Sequence, residues 1–191
     1  NFMSYKIPAL IIARGIHALP ECLEMAKKHD VTVLSSRETT SYIVSSLITY
    51  LNRQLAPRVT RHGVLVEIYG EGILIVGDSG IGKSETAIAL VKRGHRLISD
   101  DAVEIKMVSS HELVGSPPEV LRHYMELRGI GIINVAKLFG MGAVKDSSSI
   151  DLIINMVPWR DGEAYDRLGM ETQYTEILDV RVPSITIPIT P

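Results

Sequence analysis

Gly77-Asp78-Ser79-Gly80-Ile81-Gly82-Lys83-Ser84 fits the pattern G-x-x-x-x-G-K-[ST] at every fixed position. The flanks fit it too. Gly72-Ile73-Leu74-Ile75-Val76 is a short continuous apolar run of the kind used by a buried parallel strand, and Lys83 to Arg93 carries Ala87, Leu90 and Val91 at helical spacing. In such a strand–loop–helix the glycines let backbone N–H groups turn toward phosphate oxygens, and the helix N-terminus adds its positive dipole end. Lys83 is placed to reach β- and γ-phosphates, and Ser84 offers a hydroxyl to Mg²⁺. The whole loop, Gly77 through Ser84, is thus read as a polyphosphate-binding site, and the fold as an α/β phosphate-loop (Walker A) domain.

Working outward, Val64 to Tyr69 and Ile73 to Val76 flank Gly70-Glu71-Gly72, a hairpin signal whose second strand delivers the loop. Gly94 suits a left-handed helix cap, and Arg96-Leu97-Ile98-Ser99 makes a very short strand, expected to neighbour the strand that delivers the loop, that ends in Asp100-Asp101. In a phosphate-loop enzyme one acidic group at a strand end supports Mg²⁺, and a second can take a proton from an attacking hydroxyl. Adjacent carboxylates also push one pKa upward, which suits reversible proton transfer. Farther on, Pro117-Pro118 is expected to open a helix through Met125. Segment 128–134 is apolar and broken by glycines, Ser147-Ser148-Ser149 reads as a turn before a strand Ile150 to Met156, and Ile177 to Val182 and Ile185 to Ile189 read as two strands.

Upstream, Pro8 to Ala13 and Val31 to Leu34 read as strands, and Pro20 to His29 and Thr40 to Leu55 as helices, a small parallel α/β piece. Pro57-Arg58 breaks the pattern, and a linker is expected through Arg61-His62-Gly63. The expected division is therefore 1–57 and 58–191.

Twenty Lys and Arg against twenty-two Asp and Glu give a net charge of −2 over 191 residues, so no global field draws the chain to nucleic acid or an anionic membrane. Aromatic residues are only 5% of the chain, which leaves no stacking platform for single strands. The one cysteine, Cys22, excludes an internal disulfide and a C-x-x-C metal site and suits a reducing cytoplasm. No apolar run approaches membrane-spanning length, and the N-terminal residues do not read as a signal peptide.

The segments GDSGIGKSE (Gly77 to Glu85) and RGHRLISDD (Arg93 to Asp101) closely resemble the bacterial HPr kinase/phosphorylase family. The likeness continues in Met125 to Asn134, Leu138 to Val144 and Tyr165-Asp166-Arg167-Leu168-Gly169. It spans Arg61 to Pro191, with 1–57 similar to the end of the family's N-terminal domain. The resemblance implies a nucleotide-binding core like that of phosphoenolpyruvate carboxykinase. It implies a bifunctional cytoplasmic enzyme of carbon catabolite repression that phosphorylates a serine of the phosphocarrier protein HPr with ATP or pyrophosphate. In reverse, orthophosphate attacks phosphoserine to give pyrophosphate. Carried over by position, the catalytic residues are His62, Lys83, Asp101 and Arg167, and Mg²⁺ falls to Ser84 and Glu126, with Asp100 in support. The family works as a hexamer and continues beyond the point where this chain stops, with helices that dock the substrate protein and bridge subunits. Two other readings are a regulatory nucleotide switch, for which an N-K-x-D element is lacking, and a small-molecule phosphotransferase. A Rossmann dinucleotide binder is disfavoured because Glu85 stands at the third glycine place.

Overall fold

The structure, a computed structural model, describes residues 2–161, 165 and 173–190. The chain forms two compact units, Asn1–Leu55 and Ala56–Pro191. In the first, β1 (Ala9–Ile12) and β2 (Thr32–Ser35) pair in parallel, joined through α1 (Pro20–Lys28), and α2 (Thr40–Leu55) follows. Met3, Ala26 and Val31 make its small buried cluster. The parallel α/β reading of this piece holds.

The second unit begins with β3 (Arg58–His62), so the stretch expected to be a linker is a strand. Next come β4 (Val64–Ile68), β5 (Glu71–Gly77), α3 (Lys83–Lys92) and β6 (Arg96–Ser99), then β7 (Ala102–Ser109) and β8 (Glu112–Ser116). The hairpin β9 (Tyr124–Leu127) and β10 (Gly131–Asn134) leads to α4 (Val135–Phe139), β11 (Ser148–Ser149), β12 (Leu152–Pro158), β13 (Gln173–Ile177) and β14 (Val180–Ile189). One sheet runs β13-β14-β12-β5-β4-β6, with β5, β12 and β14 mutually parallel and its other pairings antiparallel. The other is antiparallel, β11-β8-β7-β3.

Alternation along β4 explains the layering. Val64 and Val66 join Ile73, Ile75, Ala87 and Val91 under α3, and Leu65 and Leu74 join Ile98, Val103, Ile105 and Leu113 between the sheets. Strands β4 and β5 are sandwiched on both faces, which is why they read as unbroken apolar runs. Glycine is required at Gly72, where a Cβ would lie 1.7 Å from the Ser149 carbonyl oxygen. It is required again at Gly77, whose φ is +149° and whose Cβ would lie 2.4 Å from the Met156 oxygen.

Three expectations are corrected. No helix spans 117–125: a 3-10 turn at Glu119–Leu121 passes through His123, at φ 67°, into strand β9, where Met125 and Leu127 are buried and Tyr124 and Glu126 exposed. The two late strands are one ten-residue strand, β14, reached from β13 by a two-residue turn in which Leu178 and Asp179 both have positive φ. The short strand β6 does not neighbour β5, because β4 lies between them.

Candidate active site

The site forms where β5 gives way to α3. Gly82 takes a left-handed φ of 103° as the residue before the helix, so the chain turns sharply enough to put Lys83 and Ser84 in the first helical turn. Lys83 is buried, and its Nζ donates to the carbonyl oxygens of Gly77 and Asp78, each at 2.9 Å. An ammonium has three N–H donors, so these bonds fix the side chain and leave one direction over. Ile81 packs against the core beneath α3 and anchors the loop from below.

Asp100 and Asp101 follow β6 and face different partners. Asp100 is 3% exposed; its Oδ1 accepts the Ser84 hydroxyl at 2.7 Å and its Oδ2 the backbone N–H of Glu126 at 3.0 Å. Burial raises its carboxyl above the ordinary range, the two hydrogen bonds oppose that rise, and the neighbouring Asp101 charge adds to it. Asp101, exposed and at φ 69°, lies with Oδ1 3.1 Å from Nδ1 of His62. Strand pairing brings them together: His62 is opposite Ala102 in the β3–β7 ladder, and the Gly63 N–H donates to the backbone carbonyl oxygen of Asp101 at 3.1 Å.

A cleft of about 170 Å³ gathers His62, Ser79, Gly80, Gly82, Lys83, Ser84, Asp100, Asp101 and Glu126. Of the residues expected from sequence, Gly77 and Asp78 contribute carbonyls to Lys83 and do not line the cleft, and Arg167 lies outside the described residues. Arg128, two residues along from Glu126, lines the cleft as well. Its guanidinium rests against Gly80, where a Cβ would come within 2.2 Å of the terminal nitrogen. Strict alternation over Glu126-Leu127-Arg128 puts the two charged side chains on one side of the chain, and both reach the cleft.

Among the described residues, no group of three or more His, Cys, Asp or Glu side chains is arranged to hold a metal by itself. Mg²⁺ keeps most of its waters and is held by one or two protein oxygens together with substrate phosphates. The Ser84 hydroxyl, already turned to a carboxylate, is the kind of oxygen such an ion takes.

Residues 53–191 match the family described as the HPr Serine kinase C-terminal domain, and residues 1–51 match the HPr Serine kinase N terminus. The chain belongs to the HPr serine kinase family. It is 51% identical over 191 residues to the HPr kinase/phosphorylase of Caldanaerobacter subterraneus subsp. tengcongensis, covering 100% of this chain and 63% of that protein. The HPr kinase/phosphorylase of Caldicellulosiruptor bescii is 52% identical over 186 residues, covering 97% of this chain and 60% of its own length. A solved structure, the Hpr(Ser) kinase/phosphatase from Coxiella burnetii, superposes with a TM-score of 0.64 at 39% identity, over 69% of this chain and 86% of that one.

Proposed function

We propose that the chain carries the phosphoryl-transfer core of an HPr kinase/phosphorylase, a phosphate-loop domain with a core similar to that of phosphoenolpyruvate carboxykinase. The observation that carries the reading is the convergence of Lys83 and Ser84 with Asp100 and Asp101 on one cleft. A nucleotide-hydrolysing switch has no need of a second carboxylate beside the phosphates, whereas a hydroxyl acceptor has a use for one.

In the forward direction the phosphates of ATP, or of pyrophosphate, lie along Gly77–Ser84. Lys83 faces the terminal phosphoryl group, and Ser84, Glu126 and the supporting Asp100 would hold Mg²⁺, which supplies charge neutralisation for the transferring group. The serine Oγ of HPr forms a bond to the terminal phosphorus as the bond to the bridging oxygen breaks. Asp101, oriented by His62, takes the hydroxyl proton. In reverse, an oxygen of orthophosphate attacks the phosphoserine phosphorus, the serine oxygen departs with the proton returned from Asp101, and pyrophosphate forms. Arg167 is assigned to steady the moving phosphoryl group. A hexameric assembly and a cytoplasmic location belong to the same reading; no helix among the described residues is long and apolar enough to cross a membrane.

The test is to incubate the protein with γ-labelled ATP, Mg²⁺ and HPr. Acid-stable label on an HPr serine is expected. Turnover that labels only a small molecule, or nucleotide binding with no turnover, overturns the proposal in favour of a metabolite phosphotransferase or a switch.

A further inference from the structure

At the entry to β9, three residues before Glu126, His123 holds the chain at φ 67°. Its backbone oxygen accepts the Val135 N–H at 2.9 Å, which pins the start of β9 to the start of α4. Among the described residues, Nε2 of His123 is the one buried side-chain nitrogen or oxygen left without a hydrogen-bond partner. Such a group is costly to keep, so its placement calls for a physical reason. The ring's charged neighbour is Asp146, whose Oδ1 lies 3.6 Å from Nε2, just beyond a hydrogen bond. Asp146 sits on a segment that is itself held. The preceding residue, Lys145, donates its N–H to the Leu97 oxygen of β6 at 2.9 Å and its Nζ to Glu67 of β4. The β9 arm is therefore drawn toward β6 at two places. At one, Asp100, three residues beyond Leu97, accepts the Glu126 N–H at 3.0 Å. At the other, three residues earlier on the arm, His123 approaches Asp146.

We propose that His123 is a positioning residue for phosphoryl transfer: with Asp146 it makes a second tie that fixes the arm on which Glu126 faces the cleft. The inference rests on the function proposed above and deepens it. One tie leaves a strand free to pivot about it, and two set its direction. Either the neutral Nε2–H tautomer or the imidazolium presents a donor to the carboxylate, so the tie needs no particular charge on the ring. Hydrogen bonds that serve a catalytic site are often long until the reacting groups are in place, and closing this one takes a movement of less than about 1 Å. Arg122, which donates to the same Asp146 oxygen at 2.6 Å, does not replace His123. Arg122 and Asp146 form a surface pair, 41% and 66% exposed, of the kind that fixes little, whereas the His123 side chain is 17% exposed.

The experiment compares the full chain with His123→Gln, which keeps an N–H donor near the place of Nε2, and with His123→Leu, which keeps bulk without one. Both replacements are unbranched at Cβ, so the left-handed backbone costs them alike. Asp146→Ala and Arg122→Ala complete the set. Two quantities are read: hydrogen exchange of the Glu126 amide in the protein alone, and the Mg²⁺ concentration that gives half-maximal transfer from ATP to HPr, with the KM for HPr alongside. His123→Leu and Asp146→Ala are each expected to speed exchange at Glu126 and to raise the Mg²⁺ requirement by roughly tenfold or more, with the KM for HPr within about twofold. Their double variant should lose little beyond either single one, and His123→Gln and Arg122→Ala should stay within about threefold of the unsubstituted chain. Equal defects in His123→Gln and His123→Leu overturn the proposal, because the ring would then act through packing alone. Unchanged exchange at Glu126 in His123→Leu overturns it, and so does Arg122→Ala reproducing the loss. Should His123→Leu not fold, Asp146→Ala, at an exposed position, carries the same test, and an unchanged amide and Mg²⁺ requirement there overturn the tie. If the unsubstituted chain labels no HPr, the kinase reading fails, while exchange at Glu126 still decides whether His123 and Asp146 hold the arm.

Discussion

The carboxylate of Asp101 and the imidazole of His62 meet 3.1 Å apart because antiparallel strands β3 and β7 end side by side, with His62 opposite Ala102. Asp101 itself sits at φ 69°, a left-handed conformation that Asp and Asn adopt more readily than other residues with a side-chain branch. The chain thus places an exposed carboxylate at the cleft with a partner that orients it.

Asp101→Asn keeps the shape and the backbone conformation and removes the basic site. Forward transfer and phosphorolysis are expected to fall together, by roughly 100-fold or more, with Mg²⁺-ATP binding retained. Retention of either activity near the level of the unsubstituted protein, or full rescue by higher Mg²⁺, assigns the proton to another group.

Lys83→Ala removes the ammonium that Gly77 and Asp78 hold in place. A cation in the first turn of a helix opposes the helix dipole, so α3 itself loses little. Transfer in both directions is expected to drop by at least about 100-fold in a protein that still melts cooperatively. Rates of label transfer unchanged in the folded variant would rule out this loop as the donor site.

Arg167→Ala is expected to cost about 2–4 kcal/mol of transition-state stabilisation with little change in nucleotide affinity. Single-turnover rates against equilibrium ATP binding separate the two. Intact turnover, or simple unfolding, removes Arg167 from the catalytic set.

Glu67 supplies a pH-dependent contribution to stability. It is buried and accepts from Arg96 Nε at 2.8 Å and from Lys145 Nζ. Burial alone would raise its carboxyl, but the hydrogen bonds and charges of Lys145 and Arg96 outweigh burial and hold it below the usual range. A depressed folded pKa contributes stability above the unfolded value, and that contribution is lost as pH falls through the folded value. Glu67→Gln should therefore melt at lower temperature near neutral pH, with the gap closing in acid. A gap that stays constant from pH 7 to below the carboxylate range contradicts this account.

The strand–loop–helix of the site was legible because each fixed residue of Gly77–Ser84 answers a local physical need, and the hairpin ahead of it because Gly70 marks its turn. Strands β7 and β8 are only half signalled: Val103, Ile105 and Met107 alternate with Glu104 and Lys106, but no glycine, proline or asparagine marks the turn between the two strands. The turn at Leu178-Asp179 was hidden because its first position holds a leucine, which rarely adopts positive φ, so the pair does not read as Asn-Gly or Asp-Gly would. Pro117-Pro118 looked like a helix start, a reading that only the burial alternation of β9 overturns. His62 had no signal of its own, because its partner lies 39 positions away in sequence (101 − 62) and is supplied by strand pairing.

Asp100 divides its two oxygens between α3, through the Ser84 hydroxyl, and β9, through the Glu126 N–H. The first turn of the loop helix and the arm that carries Glu126 and Arg128 are therefore not independent traits. A substitution that moves the hairpin is read at Ser84, and one that alters Ser84 is read at the hairpin. Changes on the two elements should show epistasis, each tolerated or not according to the other, and Asp100 is the position at which their mutational histories are joined.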